Sequence, residues 1–170
     1  MHKPYQGPQA AYLRGLAPLA DARTRVVVLG SFPSEASLAR QQYYGHPRNH
    51  FWFLVSCVLN EPLVQWPYAL RCERVLARGI GIWDTVGVCT REGSLDSAIE
   101  GAQPNDPADL LMIAPQLARA CFNGGFSQSL RQAWAAHGLH THALPSSSPA
   151  NATHPFDVKL AAWKAALTEP

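Results

Sequence analysis

The sequence predicts one α/β domain, in which a central parallel sheet of four strands lies between two layers of helices. The chain has 170 residues and a mass of 18.6 kDa, which is the size of a single domain. Hydrophobic residues make up 47% and charged residues only 15%, a balance that supplies a core and excludes intrinsic disorder. Short apolar runs alternate with segments of helical spacing, as in parallel sheets with right-handed crossovers. We expect one domain over 1–170, with 1–24 as a leader packed on or beside it.

Four short apolar runs predict the strands. The first consists of three valines and a leucine and ends at Gly30, and two of the later runs stop before Asn123 and Pro145. A continuous apolar run is typical of a strand that is buried on both faces, as in a parallel sheet. The predicted strands cover 26–29, 79–83, 118–122 and 140–144.

The segments between the strands have helical spacing. Residues 49–59 are rich in Phe, Trp, Leu and Val, and 68–77 alternate apolar with charged side chains. Ser127 is expected to cap a helix that presents Leu130 and Trp134 at i, i+4 spacing. A last helix carries one apolar stripe at positions i, i+4, i+7 and i+11. This stripe consists of Phe156, Leu160, Trp163 and Leu167.

Charge and composition exclude several classes of protein. Fourteen basic and twelve acidic side chains give a net charge of +2, too small to indicate a dedicated polyanion-binding surface by itself. No stretch approaches the roughly 20 apolar residues that span a bilayer. The first residues contain Lys3, Pro4 and Gly7 where a signal peptide would need an apolar run. We therefore expect a cytoplasmic monomer that does not contact a membrane.

The cysteine and histidine spacings do not predict a metal site. No CxxC pair is present, and such pairs usually mark zinc or iron–sulfur sites, so reduced and mostly buried thiols are expected. His46 and His50 have the spacing of ligands on a helix, but Pro47 argues against a continuous helix there. We expect no metal and no cofactor, although the fold could still bring the four cysteines together. The cysteines are Cys57, Cys72, Cys89 and Cys121.

Two segments at the carboxyl ends of predicted strands are unusual for a structural connection. Residues 30–52, GSFPSEASLARQQYYGHPRNHFW, form a long predicted loop that is dense in aromatic, histidine and arginine residues. Residues 144–152, LPSSSPANA, place three hydroxyls between prolines. Ligands of open parallel sheets bind at these strand ends, and long loops are usually functional. Such aromatics can stack on a base, and small hydroxyl loops can approach phosphates. The alternative is that the aromatics belong to the core and the serines to a solvated turn.

These motifs resemble a known family. GSFPS followed by QQYYGHPRNHFW, GIWDTV, REGSLDSAI, CFNGG and LPSSSPAN, in this order from about Val26 to Asn151, is similar to the hypoxanthine-DNA (deoxyinosine) glycosylase branch of the uracil-DNA glycosylase superfamily. The resemblance implies a three-layer α/β/α domain around a four-stranded parallel sheet. It also implies an enzyme that flips hypoxanthine, with uracil as the second candidate base, out of DNA and hydrolyses the N-glycosidic bond, so that the partner is DNA containing deaminated bases.

The resemblance also implies roles for three side chains. Asn49, in the HPRN motif, would be the catalytic amide that positions water or stabilises the sugar cation; its alternative role is to cap the following helix. Phe51 resembles the residue that stacks on the flipped base, with a place in the core as the alternative. Asn123 resembles the amide that reads the base edge, with a left-handed turn residue ahead of two glycines as the alternative.

Further contacts are expected from the loops. The backbone N–H groups of Ser31 and Phe32 would face the base, Tyr44 would line its pocket, and Arg48 would line the DNA groove. The candidate phosphate contacts are hydroxyls on loops that prolines stiffen. They belong to Ser34, Ser146, Ser147 and Ser148.

The sequence departs from the wider superfamily at three positions. Phe32 stands where other branches have the Asp or Asn that positions water, so the resemblance moves the catalytic amide to Asn49. Leu144 replaces the His or Asn that precedes Pro-Ser. Ser148 falls near the position of the wedge that fills the space left by a flipped base, and its side chain is too small to be a strong plug.

Two other functions compete with the glycosylase hypothesis. A serine hydrolase would draw on seven histidines and the serine cluster, but no GxSxG elbow follows any predicted strand. A non-catalytic module that binds a nucleotide or single-stranded nucleic acid would use the same two loops. Release of a free base from DNA distinguishes the enzyme from the binding module.

Overall fold

The computed structural model describes residues 11–149, 151 and 153–168, and over these residues the chain forms seven strands, seven α-helices and two short 3-10 helices. The first ten residues of the expected leader lie outside the described residues. In chain order the elements are β1 (Leu13–Arg14), β2 (Val26–Gly30), α1 (Glu35–Arg40), α2 (Phe51–Leu59), α3 (Tyr68–Ala77), β3 (Ile80–Asp84), β4 (Val86–Thr90), β5 (Glu100–Pro104), α4 (Pro107–Ile113), β6 (Arg119–Asn123), α5 (Gly125–Gln128), α6 (Arg131–Ala135), β7 (His140–Leu144) and α7 (Phe156–Thr168).

The central sheet contains four parallel strands in the spatial order β3-β2-β6-β7. All five residues of β2 and of β3 are buried, as expected for strands covered on both faces. The predicted α/β class and its four-stranded parallel sheet are confirmed. The chain leaves β2 toward β3 on one side and later returns to β6 on the other, so the topological switch point lies between β2 and β6.

Each face of the sheet packs against helices. Val28, Ile82 and Cys121 are paired in register and share one face, where the Cys121 thiol lies 3.9 Å from the Ala166 carbonyl oxygen of α7. On the opposite face, the Trp83 ring meets the Trp134 ring of α6 edge to face, with centroids 6.1 Å apart. Two tryptophans, Trp134 and Trp163, are thus buried in helical layers on opposite sides of the sheet.

A second, antiparallel sheet in the order β1-β4-β5 was not predicted. Only Thr85 separates β3 from β4, so the chain passes directly from one sheet to the other. All five residues of β5 are exposed and β1 has two residues, which leaves little apolar signal in the sequence. Part of the expected leader, residues 11–24, contributes β1 and a bridge from Leu19 to Ile82.

Three helical details differ from the sequence-based expectation. The long predicted loop contains α1, because Ser34 accepts a hydrogen bond from the Ser37 N–H at 3.1 Å and so caps this helix. Ser127 does not cap a helix: it is a buried residue within α5, and its hydroxyl donates to the Gly124 carbonyl. Helix α4, whose start is capped by Asp106, was not predicted.

Within the described ranges, no helix is both long and apolar enough to cross a membrane.

The packing predicts a large cost for truncating Trp134. Its side chain is 1% exposed, so Trp134→Ala removes about 3–5 kcal/mol from the free energy of unfolding. Urea denaturation followed by circular dichroism measures this loss. Met112→Ala in α4 is the control, since Met112 is 85% exposed and should change stability little. Equal stability of the two variants would contradict the assignment of Trp134 to the core.

Candidate active site

A cleft of about 800 Å³ lies at the carboxyl ends of the four parallel strands. Its walls come from the segment after β2, from Asp84 at the end of β3, from Asn123 at the end of β6 and from the serine loop after β7. Tyr44 and Asn49 line it from the connection between β2 and α2. The two segments that the sequence singled out therefore meet in one cleft, close to the switch point of the sheet.

Ser147 holds these walls together. Its backbone N–H donates to Asn123 Oδ1 at 2.9 Å, and its hydroxyl accepts from Asn123 Nδ2 at 2.9 Å and donates to Asn49 Oδ1 at 2.9 Å. Its carbonyl accepts from the His50 N–H at 3.0 Å. The side chain is fully buried, so these bonds form away from water. Ser147 therefore positions the two amides, and its hydroxyl is not placed to contact a phosphate as the sequence predicted.

Asn49 is held in one orientation. Its Oδ1 accepts from the Phe51 N–H and from the Ser147 hydroxyl, both at 2.9 Å, which uses both lone pairs of the oxygen. The Phe51 N–H belongs to the first residue of α2, so Asn49 binds the helix start, although the N-cap position itself is His50, which makes no side-chain cap bond. The amide nitrogen of Asn49 is thereby turned away from these partners, in a residue that lines the cleft. What Asn49 presents to a ligand is a hydrogen-bond donor.

Asn123 is engaged within the protein. Besides its two bonds to Ser147, its Nδ2 donates to the Tyr44 hydroxyl at 3.1 Å. Both amide hydrogens are therefore used within the protein, whereas Oδ1 accepts from the Ser147 N–H and has a second lone pair. The residue also ends β6 in extended backbone, whereas the left-handed turn falls on Gly124, with φ of +96°. The left-handed turn alternative for Asn123 is therefore wrong, whereas its contact with a base edge stays a prediction for a residue that lines the cleft and links Ser147 to Tyr44.

Tyr44, not Phe51, presents an aromatic ring to the cleft. Phe51 is fully buried, lies outside the cleft lining and contacts Trp163 edge to face. The Tyr44 ring stacks on Phe51 with centroids 3.9 Å apart and an interplanar angle of 13°. Tyr44 also adopts φ of +54°, a costly conformation for a bulky residue that often marks a functional site. Phe51 thus supports the Tyr44 ring from the core.

Asp84 is a site residue that the sequence analysis missed. Its carboxyl is 5% exposed and lines the cleft, and Oδ2 is a buried atom without a hydrogen-bond partner among the described residues. Burial, reinforced by the negative charge of Asp96 and opposed by Arg91, raises the pKa of Asp84 to about 7. A carboxyl that ends an otherwise apolar buried strand was the signal in the sequence that could have identified it.

Gly30 makes room for this carboxyl. A Cβ at position 30 would lie 2.5 Å from Asp84 Oδ1 and 3.2 Å from the Tyr44 hydroxyl oxygen. Contacts below 3.0 Å essentially never occur for real Cβ atoms, so a side chain here would displace Asp84. Burial, followed by the nearby charge of Asp84, raises the pKa of Tyr44, so its hydroxyl stays protonated near neutral pH.

The remaining predicted contacts lie around the cleft with different exposures. Arg48 lines the cleft and is exposed, and Ser146 and Ser148 line it and are half-buried. Ser34 also lines it, but its hydroxyl caps α1. The serine loop is fixed from below by α7, where the Trp163 indole N–H donates to the Pro145 carbonyl at 2.9 Å.

The side chains of Ser31 and Phe32 are both engaged within the protein. Both line the cleft, and the Ser31 hydroxyl donates to Asp96. The Phe32 side chain is 6% exposed and packs with Val86 and Cys89 in a separate apolar cluster, where the Arg91 guanidinium lies 5.1 Å above its ring. Only the backbone of Phe32 is therefore placed to face a ligand.

The cysteines do not form a cluster. All four are free thiols, two of them buried and two half-buried. No group of three or more His, Cys, Asp or Glu side chains in the described part of the chain is arranged to hold a metal ion.

Comparisons with known proteins agree with this architecture. No protein-family profile matches the chain. A hypoxanthine DNA glycosylase from Methanosarcina acetivorans is 38% identical over 138 residues, which cover 81% of this chain and 87% of that protein. A hypoxanthine DNA glycosylase from Methanosarcina barkeri is 37% identical over the same shares of the two chains.

A solved structure shares the fold. The solution NMR structure of a Methanosarcina acetivorans protein, described as a candidate uracil DNA glycosylase, has a TM-score of 0.83 and 35% identity over 92% of this chain and 97% of that one. The family resemblance inferred from the motifs is confirmed by these likenesses in sequence and in fold. This chain belongs to the hypoxanthine DNA glycosylase family, within the uracil DNA glycosylase fold.

Proposed function

We propose that this protein is a DNA repair glycosylase that flips a hypoxanthine nucleotide, with uracil as the second candidate base, into the cleft and hydrolyses its N-glycosidic bond. The observation that carries the proposal is the cleft itself, where an oriented amide donor on Asn49 and the buried carboxyl of Asp84 face one space of about 800 Å³. A glycosidic bond is hidden within a duplex, so the nucleotide must leave the stack to reach these groups. We expect a cytoplasmic monomer that needs no cofactor.

The reaction exchanges one bond for another. The bond between C1′ of the sugar and the base nitrogen breaks, and its electron pair leaves with the base while positive charge develops on the sugar. The oxygen of a water molecule then bonds to C1′. One proton of that water is released and the base gains a proton, so the products are a free base and an abasic site. Donors aimed at the departing base stabilise the negative charge that develops there.

Asn49 supplies such a donor. Since both lone pairs of its Oδ1 are used by Phe51 and Ser147, its side chain cannot accept a proton from the attacking water. Its amide N–H groups can donate to the base as charge develops. We therefore assign Asn49 to stabilising the leaving base, and this differs from the water-positioning and sugar-stabilising roles expected from the sequence.

Tyr44 and Asp84 provide the surface and the edge of the base pocket. The Tyr44 ring stacks on Phe51 and the residue lines the cleft, so we assign Tyr44 to stacking on a flipped base. Asp84, when protonated, can both donate to and accept from a base edge that carries a carbonyl and a ring N–H. Exposed Arg48 and the rim serines Ser146 and Ser148 are our candidates for contacts to the phosphates beside the flipped nucleotide.

A direct assay tests the function. Labelled duplexes that contain hypoxanthine, uracil or only undamaged bases are incubated with the protein, and alkali then cleaves abasic sites. We expect strand breaks with hypoxanthine and none with undamaged DNA. Binding to these duplexes without any strand break would support the non-catalytic binding module instead.

The orientation of Asn49 predicts that its amide nitrogen, not only its oxygen, is required. Asn49→Ala should lower the single-turnover excision rate by about 10²–10³-fold, the usual cost of losing one donor to a developing charge, while DNA binding persists. Asn49→Asp is the matched control, because it keeps an oxygen acceptor for Phe51 and Ser147 but has no N–H. We expect Asn49→Asp to be as impaired as Asn49→Ala; full activity of Asn49→Asp would show that the N–H is not required and would return Asn49 to positioning water, to stabilising the sugar cation or to the helix start.

The raised pKa of Asp84 predicts a pH dependence. The pKa of Asp84 is about 7. At a lower pH the carboxyl is neutral and can donate to the base, and at a higher pH the carboxylate repels the negative charge that develops on the base. The single-turnover rate should therefore fall about tenfold per pH unit above pH 7. Asp84→Asn, which stays neutral and keeps a donor, should give a profile that is flat in this range. A wild-type rate that rises through pH 7 would instead make Asp84 a base.

Stability measurements on Asp84→Asn test separately whether Asp84 titrates with a raised pKa. A carboxyl whose pKa is higher in the folded than in the unfolded protein lowers stability as pH rises from about 4 to 7. Asp84→Asn should therefore raise Tm more at pH 8 than at pH 5 relative to the wild type. An equal change at the two pH values would show that Asp84 does not titrate in this way.

A further inference from the structure

Leu95 is exposed at the edge of the cleft. Its side chain is 61% exposed, and it lines the cleft together with Ser94, Asp96 and Ser97. The other large exposed apolar residues of the described chain, such as Leu70 and Met112, do not line the cleft. A single exposed leucine needs no explanation elsewhere on a surface, but this one borders the entrance to the proposed reaction centre.

The loop that carries Leu95 is fastened on both sides of it. On one side, the Ser94 hydroxyl accepts from the Glu35 N–H at 3.0 Å, which ties the loop to the start of α1. On the other side, Asp96 accepts a hydrogen bond from the Ser31 hydroxyl. Leu95 thus lies between two attachments to the segment that follows β2. Its exposure does not result from a loop without contacts.

Arg91 fixes the base of the same loop. Its side chain is largely buried and donates to the carbonyls of Gly93, at 2.9 Å, and of Pro33. Leu95 itself has extended backbone, with φ of −76° and ψ of 137°, and precedes a turn of 3-10 helix over Asp96–Ala98. Because the backbone around Leu95 is already fixed, insertion of its side chain would order little further backbone.

We propose that Leu95 enters the DNA duplex and occupies the space that the flipped nucleotide leaves. This rests on the proposed function, since only a flipped nucleotide creates that space. Apolar side chains are well suited to insertion between base steps, because they replace lost stacking with apolar contact. The position expected from the family for such a wedge holds Ser148, whose hydroxymethyl group is too small to fill a base-sized gap. Leu95 supplies the missing bulk from a different loop.

The test compares duplex with single-stranded substrate. A single strand has no gap to fill, so Leu95→Ala should slow single-turnover excision of hypoxanthine from a duplex about tenfold and leave the single-stranded rate within twofold of wild type. Leu70→Ala is the matched control, because Leu70 is 46% exposed on α3 and does not line the cleft. Leu95→Met, which keeps an apolar side chain of similar size, should retain most of the wild-type rate on the duplex.

A binding measurement tests the proposal without catalysis. A duplex with a tetrahydrofuran abasic analogue already contains the gap, so its affinity for Leu95→Ala should fall about tenfold, as measured by fluorescence anisotropy, with no change for the same analogue in a single strand. An unchanged duplex affinity, or an equal loss on both substrates, would overturn the proposal. Wild-type excision, measured alongside, reports the proposed function separately.

Discussion

The buried hydroxyl of Ser147 is the contact on which the geometry of the cleft depends. It joins the loop after β7 to the end of β6 through Asn123 and to the start of α2 through Asn49, residues that are 24 and 98 positions away in the sequence. Asn123 in turn reaches the Tyr44 hydroxyl. The hydroxyl of Ser147 both accepts and donates, and the oxygen of each amide is bound, so a low-dielectric interior strengthens these bonds and holds the two amides and the aromatic ring in one arrangement. Catalysis by oriented donors requires such rigidity.

The parallel sheet provides the frame for this network. Its strands end at the same edge, so the sheet itself brings loops from distant parts of the sequence close together. Helix α7 fixes the segment that follows β7. The Trp163 indole N–H donates to the Pro145 carbonyl, and the Lys159 ammonium donates to the Asn151 carbonyl at 3.0 Å. The small net charge of the protein agrees with a site that grips a single nucleotide through backbone groups, hydroxyls and a few arginines.

The fold was predictable because strands buried on both faces consist of continuous apolar runs, which are visible in the sequence. Parts of the site depend instead on contacts between residues that are distant in the sequence, and a local pattern does not show these contacts. The exposed strand β5 carries no apolar periodicity, so the second sheet was missed. Which of two nearby aromatics faces the cleft follows from the positive φ of Tyr44 and from the stacking of its ring on Phe51. The engagement of Asn123 likewise depends on where Ser147 lies in three dimensions. Asp84, in contrast, was visible as a carboxyl at the end of a buried apolar strand.

The close approach of Gly30 to Asp84 also constrains how this site can change over evolutionary time. Position 30 has space for a side chain only after the carboxyl at position 84 has been replaced by something smaller or has moved. A lineage that acquires a side chain at position 30 therefore has to change or move Asp84 first. The absent Cβ of one glycine thus couples two positions that are 54 residues apart in the sequence, so that the order of their substitutions matters.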